Sequence, residues 1–262
     1  QANNGRLPEA NAAVDGVNLP VYDWAFRANW TLFDVEKAAR AGNWDYGEAL
    51  QRSRKKIFDL GIQRVSFLGA SGFANTTNNC YGLLNLPNVF QDLTAFAAGG
   101  NVPISSMPLT VLNAFVAAIV KIYRTNCQRA AWPTDFYVPE SDWIGMGGDQ
   151  YSPTFPIGTI LEILEKAFKK IIPNGKFNGI KPIAYAQSSY SGGVLATDQY
   201  VLLNNNDEVL NQQLPVPFTT TVPNSVDNFQ LQDTAYAQFT GVQALNPRQI
   251  LYLTGVGANM AT

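Results

Sequence analysis

The sequence predicts an α+β fold, on three observations. Apolar stripes at helical spacing mark three tracts, Asp45–Leu60, Pro108–Arg129 and Thr159–Ile172. The last third, 198–256, is a string of short β-type runs separated by turns. No solenoid repeat and no long Pro- or Ser-rich linker divides the 262 residues into independent units. A chain of that length can bury a large core in one domain or two closely joined ones.

Taken in order, Gln1–Pro20 is rich in Ala, Asn, Gly and Pro without periodicity, which predicts an extended or flexible arm. Leu32, Val35 and Ala39 then show helical spacing up to Gly42. Asp45, with Glu48 three residues on, fits an N-cap with a reciprocal partner. Leu50, Ile57 and Leu60 carry an apolar stripe to Gly61, which is expected to end the helix in a left-handed turn. Arg52, Arg54, Lys55 and Lys56 lie near that expected end, where cations suit the dipole, and predict a solvated basic face. Ile62–Leu68 alternates like a short strand, Gly69–Asn79 is a loop of small polar residues, and 85–106 is broken by Pro87, Gly99, Gly100 and Pro103.

Leu112, Phe115, Val116, Ile119, Ile122 and Tyr123 set one apolar face of the second helix, and Pro108 suits its first turn. Phe136–Val138 predicts a buried strand and Pro139–Ile144 a short helix, with Glu140 and Asp142 favourable at its start. Gly145-Met146-Gly147-Gly148 predicts a mobile loop. In the third helix Ile160, Leu161, Ile163, Leu164, Ala167, Phe168 and Ile171 are core-like. Glu162, Glu165, Lys166, Lys169 and Lys170 are solvent-like there, with Glu–Lys pairs four apart in the favourable order. Gly179–Ala186 is expected as a strand and Ser188–Gly193 as a loop. The last third offers a run ending in Leu202-Leu203, an acidic turn at Asp207 and Glu208, Leu214–Phe218, a run over Phe229–Phe239 and the closing Ile250–Leu253.

Function is narrowed mostly by what is missing. The chain has no histidine, which removes Ser-His-Asp and Cys-His nucleophiles and histidine-based metal sites. Carboxylate catalysis, Ser-Lys chemistry and an Asp/Glu-bound ion remain open. The acids show no ligand spacing, Gln150 stands where the dinucleotide fingerprint needs its last glycine, and no phosphate-binding loop sequence occurs. No catalytic, cofactor-binding or metal residue is therefore assigned, and no cofactor is expected. A net charge of −2 argues against a general nucleic-acid binder.

Cys80 and Cys127 are too few for a disulfide framework or zinc cluster and are expected as small core residues. Asn29-Trp30-Thr31 and Asn75-Thr76-Thr77 fit the glycosylation sequon, which matters only in a secreted protein. Gln1–Leu19 has no apolar signal core, and Pro108–Tyr123 falls short of the ~20 apolar residues a membrane helix needs; no membrane is expected. Trp24, Trp30, Trp44, Trp132 and Trp143, with eleven tyrosines, are read as core or subunit-interface material rather than a carbohydrate platform.

Two passages carry a resemblance. Phe67-Leu68-Gly69 followed by Tyr81-Gly82-Leu83-Leu84-Asn85-Leu86-Pro87-Asn88-Val89, and the order of β-type runs from 198 to 256, resemble the major capsid proteins of tailed bacteriophages with the Hong Kong 97-like fold. Pro139-Glu140-Ser141-Asp142-Trp143 resembles a proline–acidic–aromatic segment that precedes a helix in the same family. The likeness spans Tyr22 to Val256.

The resemblance implies an arm and the remainder of an extended loop at 1–30, too short for both and so expected to be incomplete. It implies a peripheral domain with a spine helix at 31–104, an axial domain at 105–197 and a return to the peripheral domain at 198–262. It also implies a structural, non-enzymatic role. Pentamers and hexamers would close an icosahedral shell around double-stranded DNA without sequence-specific binding. Minor capsid, decoration or portal proteins would be further partners, and the virion, assembled in the host bacterial cytoplasm, the location. An encapsulin-type compartment shell is the alternative with the same fold. A secreted carbohydrate-active or carbohydrate-binding protein is the alternative from another class.

Overall fold

The computed structural model describes residues 20–42, 45–70, 80–97, 101–148 and 158–254. The expected arm up to Leu19, most of the Gly69–Asn79 loop with its sequon, and Trp44 lie outside these residues. In chain order the elements are β1 (Val21–Thr31), α1 (Leu32–Arg40), α2 (Tyr46–Leu68), β2 (Phe90–Asp92), α3 (Leu109–Asn126), β3 (Asp135–Pro139), α4 (Glu140–Gly148), α5 (Ile160–Ile171), β4 (Gly179–Ile183), β5 (Tyr200–Leu203), β6 (Leu210–Asn211), β7 (Val216–Thr220), β8 (Asn224–Ser225), β9 (Gln230–Thr240), β10 (Gln243–Ala244) and β11 (Ile250–Leu253).

The first sheet is long and narrow. β1 and β9 run antiparallel along their full length, from Val21 opposite Thr240 to Thr31 opposite Gln230, with β7 and β8 on the other edge of β9. Side chains alternate across it: Tyr22, Ala28 and Trp30 of β1, and Asp233, Ala235, Ala237 and Phe239 of β9, are buried on one face. That face is covered by α2. Trp24, Phe58 and Phe218 meet there with ring centroids 5.2–5.9 Å apart, a spacing at which tilted aromatic pairs attract.

The second sheet has the order β2-β11-β5-β3-β4, with β11 parallel to β2 and β3 parallel to β4, while β5 is antiparallel to both its neighbours. β5 and β11 are buried on both faces, and their sequences Tyr200-Val-Leu-Leu and Ile250-Leu-Tyr-Leu are accordingly continuous apolar runs. Phe136, Val138, Tyr200, Leu202, Leu251 and Leu253 face the helices α3, α4 and α5. Val201, Leu203, Ile250 and Tyr252 face the other way, onto Leu68, Leu83, Leu84 and Leu86. This is the α+β architecture expected from the sequence.

Two expectations are corrected. α2 does not stop at Gly61; it continues through Ile62–Leu68, which is helix rather than strand, and ends at Gly69 (φ 71°). Phe58, Ile62 and Val65 keep helical spacing and pack toward the Trp24 and Tyr22–Phe239 side of the sheet. The burial of that stripe outweighs the roughly 1 kcal/mol a mid-helix glycine costs. Gly145–Gly148 is not a loop either but the second half of α4. Met146 is fully buried, and Gly145 packs so closely on Ser105 that an added methyl would lie 3.0 Å from its Cβ. Tertiary contact again overrides propensity.

Elsewhere the expected elements appear with small boundary shifts. α3 and α5 occupy the two later helical tracts, β3 spans Phe136–Val138, and β4 ends at Ile183 with a 3₁₀ turn over Ala184–Ala186. Both cysteines are free and buried, and burial pushes the Cys80 thiol up.

Candidate assembly surfaces and the clamps behind them

The junction between the two sheets is built by the passages that suggested the family. A helix leaves its last carbonyls without intrahelical partners. At the end of α2 those of Ser66 and Phe67 accept the N–H groups of Leu83 and Leu84 at 2.8 and 2.9 Å, and that of Leu68 accepts Asn85 Nδ2 at 2.9 Å. Asn85 Oδ1 in turn accepts the Gly82 N–H at 2.6 Å. The Tyr252 hydroxyl donates to the Leu83 carbonyl at 2.5 Å and accepts the Leu86 N–H at 3.2 Å, tying β11 to the same crossing. Burial pushes the Tyr252 phenol well above its ordinary range.

Such close backbone contact needs glycine. A methyl on Gly82 would lie 2.4 Å from the Gly69 nitrogen and the Phe67 carbonyl carbon, and one on Gly69 would lie 2.1 Å from the Cys80 oxygen. Gly82→Ala should therefore cost about 3 kcal/mol or more, at the upper end of overpacking losses. Gly61→Ala, where an added methyl meets nothing within 4 Å, should stabilise by ~0.5–1 kcal/mol as a mid-helix replacement. Urea melts of the free subunits measure both, and equal effects would contradict the steric reading of the crossing.

The second clamp joins α2 to β9. Arg54 and Asp233 are each 2% exposed and form a two-pronged ion pair, Nη1–Oδ1 2.6 Å and Nη2–Oδ2 2.7 Å. Planar guanidinium matched to carboxylate gives this geometry its strength. Arg54 was expected on a solvated basic face near a helix end. It lies mid-helix on the sheet-facing side, while Arg52, Lys55 and Lys56 are exposed. Leu50, Ile57 and Leu60, expected as the core stripe, are half-buried or exposed, with Ile57 and Leu60 at 48% and 53%. Asp45 is the N-cap as expected, its carboxylate accepting the Glu48 N–H at 3.1 Å; the Glu48 carboxylate holds Arg52 at 2.6 Å. The reciprocal capping box belongs to Thr31 and Asp34 at the start of α1.

The other buried carboxylates hold the fold in the same way. Asp142 accepts the N–H groups of Ile104 and Ser105 at 3.0 and 2.9 Å and the Tyr200 hydroxyl at 2.7 Å. Burial first, and that carboxylate second, push the Tyr200 phenol well up. Asp135 accepts Lys181 Nζ at 2.5 Å, Thr134 Oγ1 at 2.8 Å and Asn178 Nδ2 at 3.2 Å. The hydrogen bond to Asp135 raises the Lys181 ammonium. Asp92 accepts the Thr94 N–H and hydroxyl at 2.7 and 2.8 Å. Asp142 and Asp135 each join separate segments, Asp92 closes a turn within its own, and among the described residues no cluster of Cys, Asp or Glu has the makings of a metal site. No helix among them is long and apolar enough to cross a membrane.

What faces outward is more informative. The stripe Leu32, Val35 and Ala39 is not core: Leu32 and Val35 are 45% and 40% exposed, and Ala38 is the residue of α1 that is buried. Phe33 and Phe229 stack on each other with ring centroids 6.0 Å apart and an interplanar angle of 9°, while both stay mostly exposed. With Val226, whose N–H donates to the Gln230 carbonyl, they make an apolar tip at the end of the β1–β9 sheet. A second apolar surface is a groove of about 480 Å³ between β2 and α3, lined by Phe90, Ala118, Lys121, Ile122, Thr125 and Asn126. Exposed patches of this kind mark protein contact surfaces.

A family model described as major capsid protein matches residues 2–256. Among solved structures the chain is similar to the capsid of Myoviridae phage XM1, at 14% identity and TM-score 0.68, over 90% of this chain and 74% of that one. It is also similar to the satellite phage P4 procapsid, at 10% identity and TM-score 0.51, over 97% and 83%. A third similar structure is that of Mycobacterium phage Che8, at 13% identity and TM-score 0.51, over 97% and 79%. At such identities these likenesses establish the fold, which is Hong Kong 97-like. No curated protein sequence matches the chain.

Proposed function

As a member of the major capsid protein family, the chain is a structural coat protein, and we propose that it closes the icosahedral head of a tailed phage around double-stranded DNA. Pentamers and hexamers of this subunit form the shell, assembled in the host bacterial cytoplasm and carried in the virion, with minor capsid, decoration or portal proteins as possible additions. The subunit has no turnover in this reading. Residues 31–104 and 198–262 form its peripheral part around α2, residues 105–197 its axial part, and residues 1–30 an arm with the remainder of an extended loop.

One observation carries the reading beyond family membership: among the described residues the buried carboxylates Asp135, Asp142 and Asp233 join separate segments and Asp92 closes a local turn, while apolar side chains such as Phe33, Val35 and Phe229 lie on the outside. An enzyme of this size is expected to do the reverse, gathering polar groups in an apolar pocket. The shell holds DNA by enclosure, so a chain with net charge −2 needs no excess of cations.

Purified particles should contain nuclease-protected double-stranded DNA. Particles filled with protein instead would select a compartment shell of encapsulin type. A monomer that binds glycans would select the carbohydrate reading.

A further inference from the structure

We propose that the apolar tip of the β1–β9 sheet in one copy docks into the β2–α3 groove of a neighbouring copy. The inference rests on the self-assembly reading above, and three features of the two surfaces carry it.

The tip is ordered before any partner arrives. Asp227 Oδ1 accepts the N–H groups of Phe229 and Gln230 at 2.8 and 2.7 Å, and the Phe229 carbonyl accepts the Leu32 N–H at 3.1 Å. These bonds present the Phe33–Phe229 stack, 59% and 58% exposed, at the end of the sheet that Val226, 61% exposed, also reaches. A rigid aromatic anchor loses little side-chain freedom on docking.

The groove offers an apolar volume of about 480 Å³, with Phe90 47% exposed at its wall. The charges also complement each other. The tip carries the acids Asp34 and Asp227, with Lys37 next to Asp34, whereas the groove carries Lys121, which has no ion-pair partner among the described residues, and no acid among them lines it.

Tip and groove are different surfaces of one subunit, so their contact is head-to-tail. That is the kind of contact that generates rings when the rotation closes.

Cysteine pairing tests the contact in assembled particles. Under mild oxidation, Ala118→Cys/Phe229→Cys particles should run as a ladder of covalent multimers on a non-reducing denaturing gel, and each single variant as monomer. Dimers from Phe229→Cys alone would mean that tips meet tips, and would overturn the proposal. Intact double-variant particles that give no ladder would overturn it as well.

Ala118→Glu keeps the test decisive should the cysteine variants not assemble. The position is exposed, so its free subunit should melt like wild type while particle yield falls about tenfold or more. A wild-type yield would refute the contact. Failure of the wild-type chain itself to form particles would remove the assembly reading instead, so the two failures are distinguishable.

Discussion

Asp233→Ala should destabilise the free subunit by about 3–5 kcal/mol, because it strands the Arg54 guanidinium in a site from which water is excluded. The pair is 2% exposed on each side, and Arg54 Nε already lacks a partner. Losing both Nη contacts leaves the whole cation unsatisfied beneath the β1–β9 sheet. Arg54→Ala should cost a similar amount for the converse reason. Arg54→Met/Asp233→Leu should recover most of the loss, since a buried ion pair can often be exchanged for apolar residues of similar volume at little net cost. Urea melts of the four proteins test the coupling. Additive losses in the double variant would show that the pair does not act as a unit.

Phe168→Ala should cost about 3–5 kcal/mol as well, by leaving a cavity where three aromatic rings meet. Phe168 is fully buried, stacked on Phe177 at 4.6 Å and tilted against Phe136 at 5.4 Å. Leu164, one turn earlier, faces the same core at 1% exposure. Lys169, the next residue, points away; its side chain is 57% exposed and pairs with Glu165 at 3.3 Å. Lys169→Ala should therefore stay within about 0.5 kcal/mol in the free subunit. A neutral Phe168→Ala beside a destabilising Lys169→Ala would invert the two faces of α5.

α5 was legible because its pattern is strong and local. Apolar residues recur on one face and charged ones on the other, where Lys169 pairs with Glu165 though Lys166 does not pair with Glu162, and Thr159 caps its start by accepting the Glu162 N–H. β5 and β11 were legible for a related reason, as strands buried on both faces are continuous apolar runs. α2 was harder, since the side it buries begins with an arginine. Arg54 follows the same spacing as Phe58, Ile62 and Val65, but its acidic partner lies 179 residues away, so nothing nearby in sequence marks it as buried. The α1 stripe failed in the opposite sense: helical spacing of Leu32 and Val35 signals an apolar face without saying whether the covering partner belongs to the same molecule.

The crossing at Gly69 and Gly82 was visible as a resemblance and acquires a physical cause only in three dimensions. The first glycine ends the helix with a positive φ, the second lets another strand of backbone reach its last carbonyls, and Asn85 binds both sides. Local propensity carries no trace of such a contact, because each partner looks like ordinary turn material by itself. The absent histidine was informative at once, since it removes whole reaction classes whatever the fold.

The central claim is that this chain is a shell subunit, and one measurement addresses it most directly: negative-stain images of the purified protein at native ionic strength, with its absorbance ratio at 260 and 280 nm. Closed particles of uniform size with a ratio dominated by nucleic acid are the expected result. A monodisperse monomer with the absorbance of protein alone, and with hydrolase activity, would contradict it.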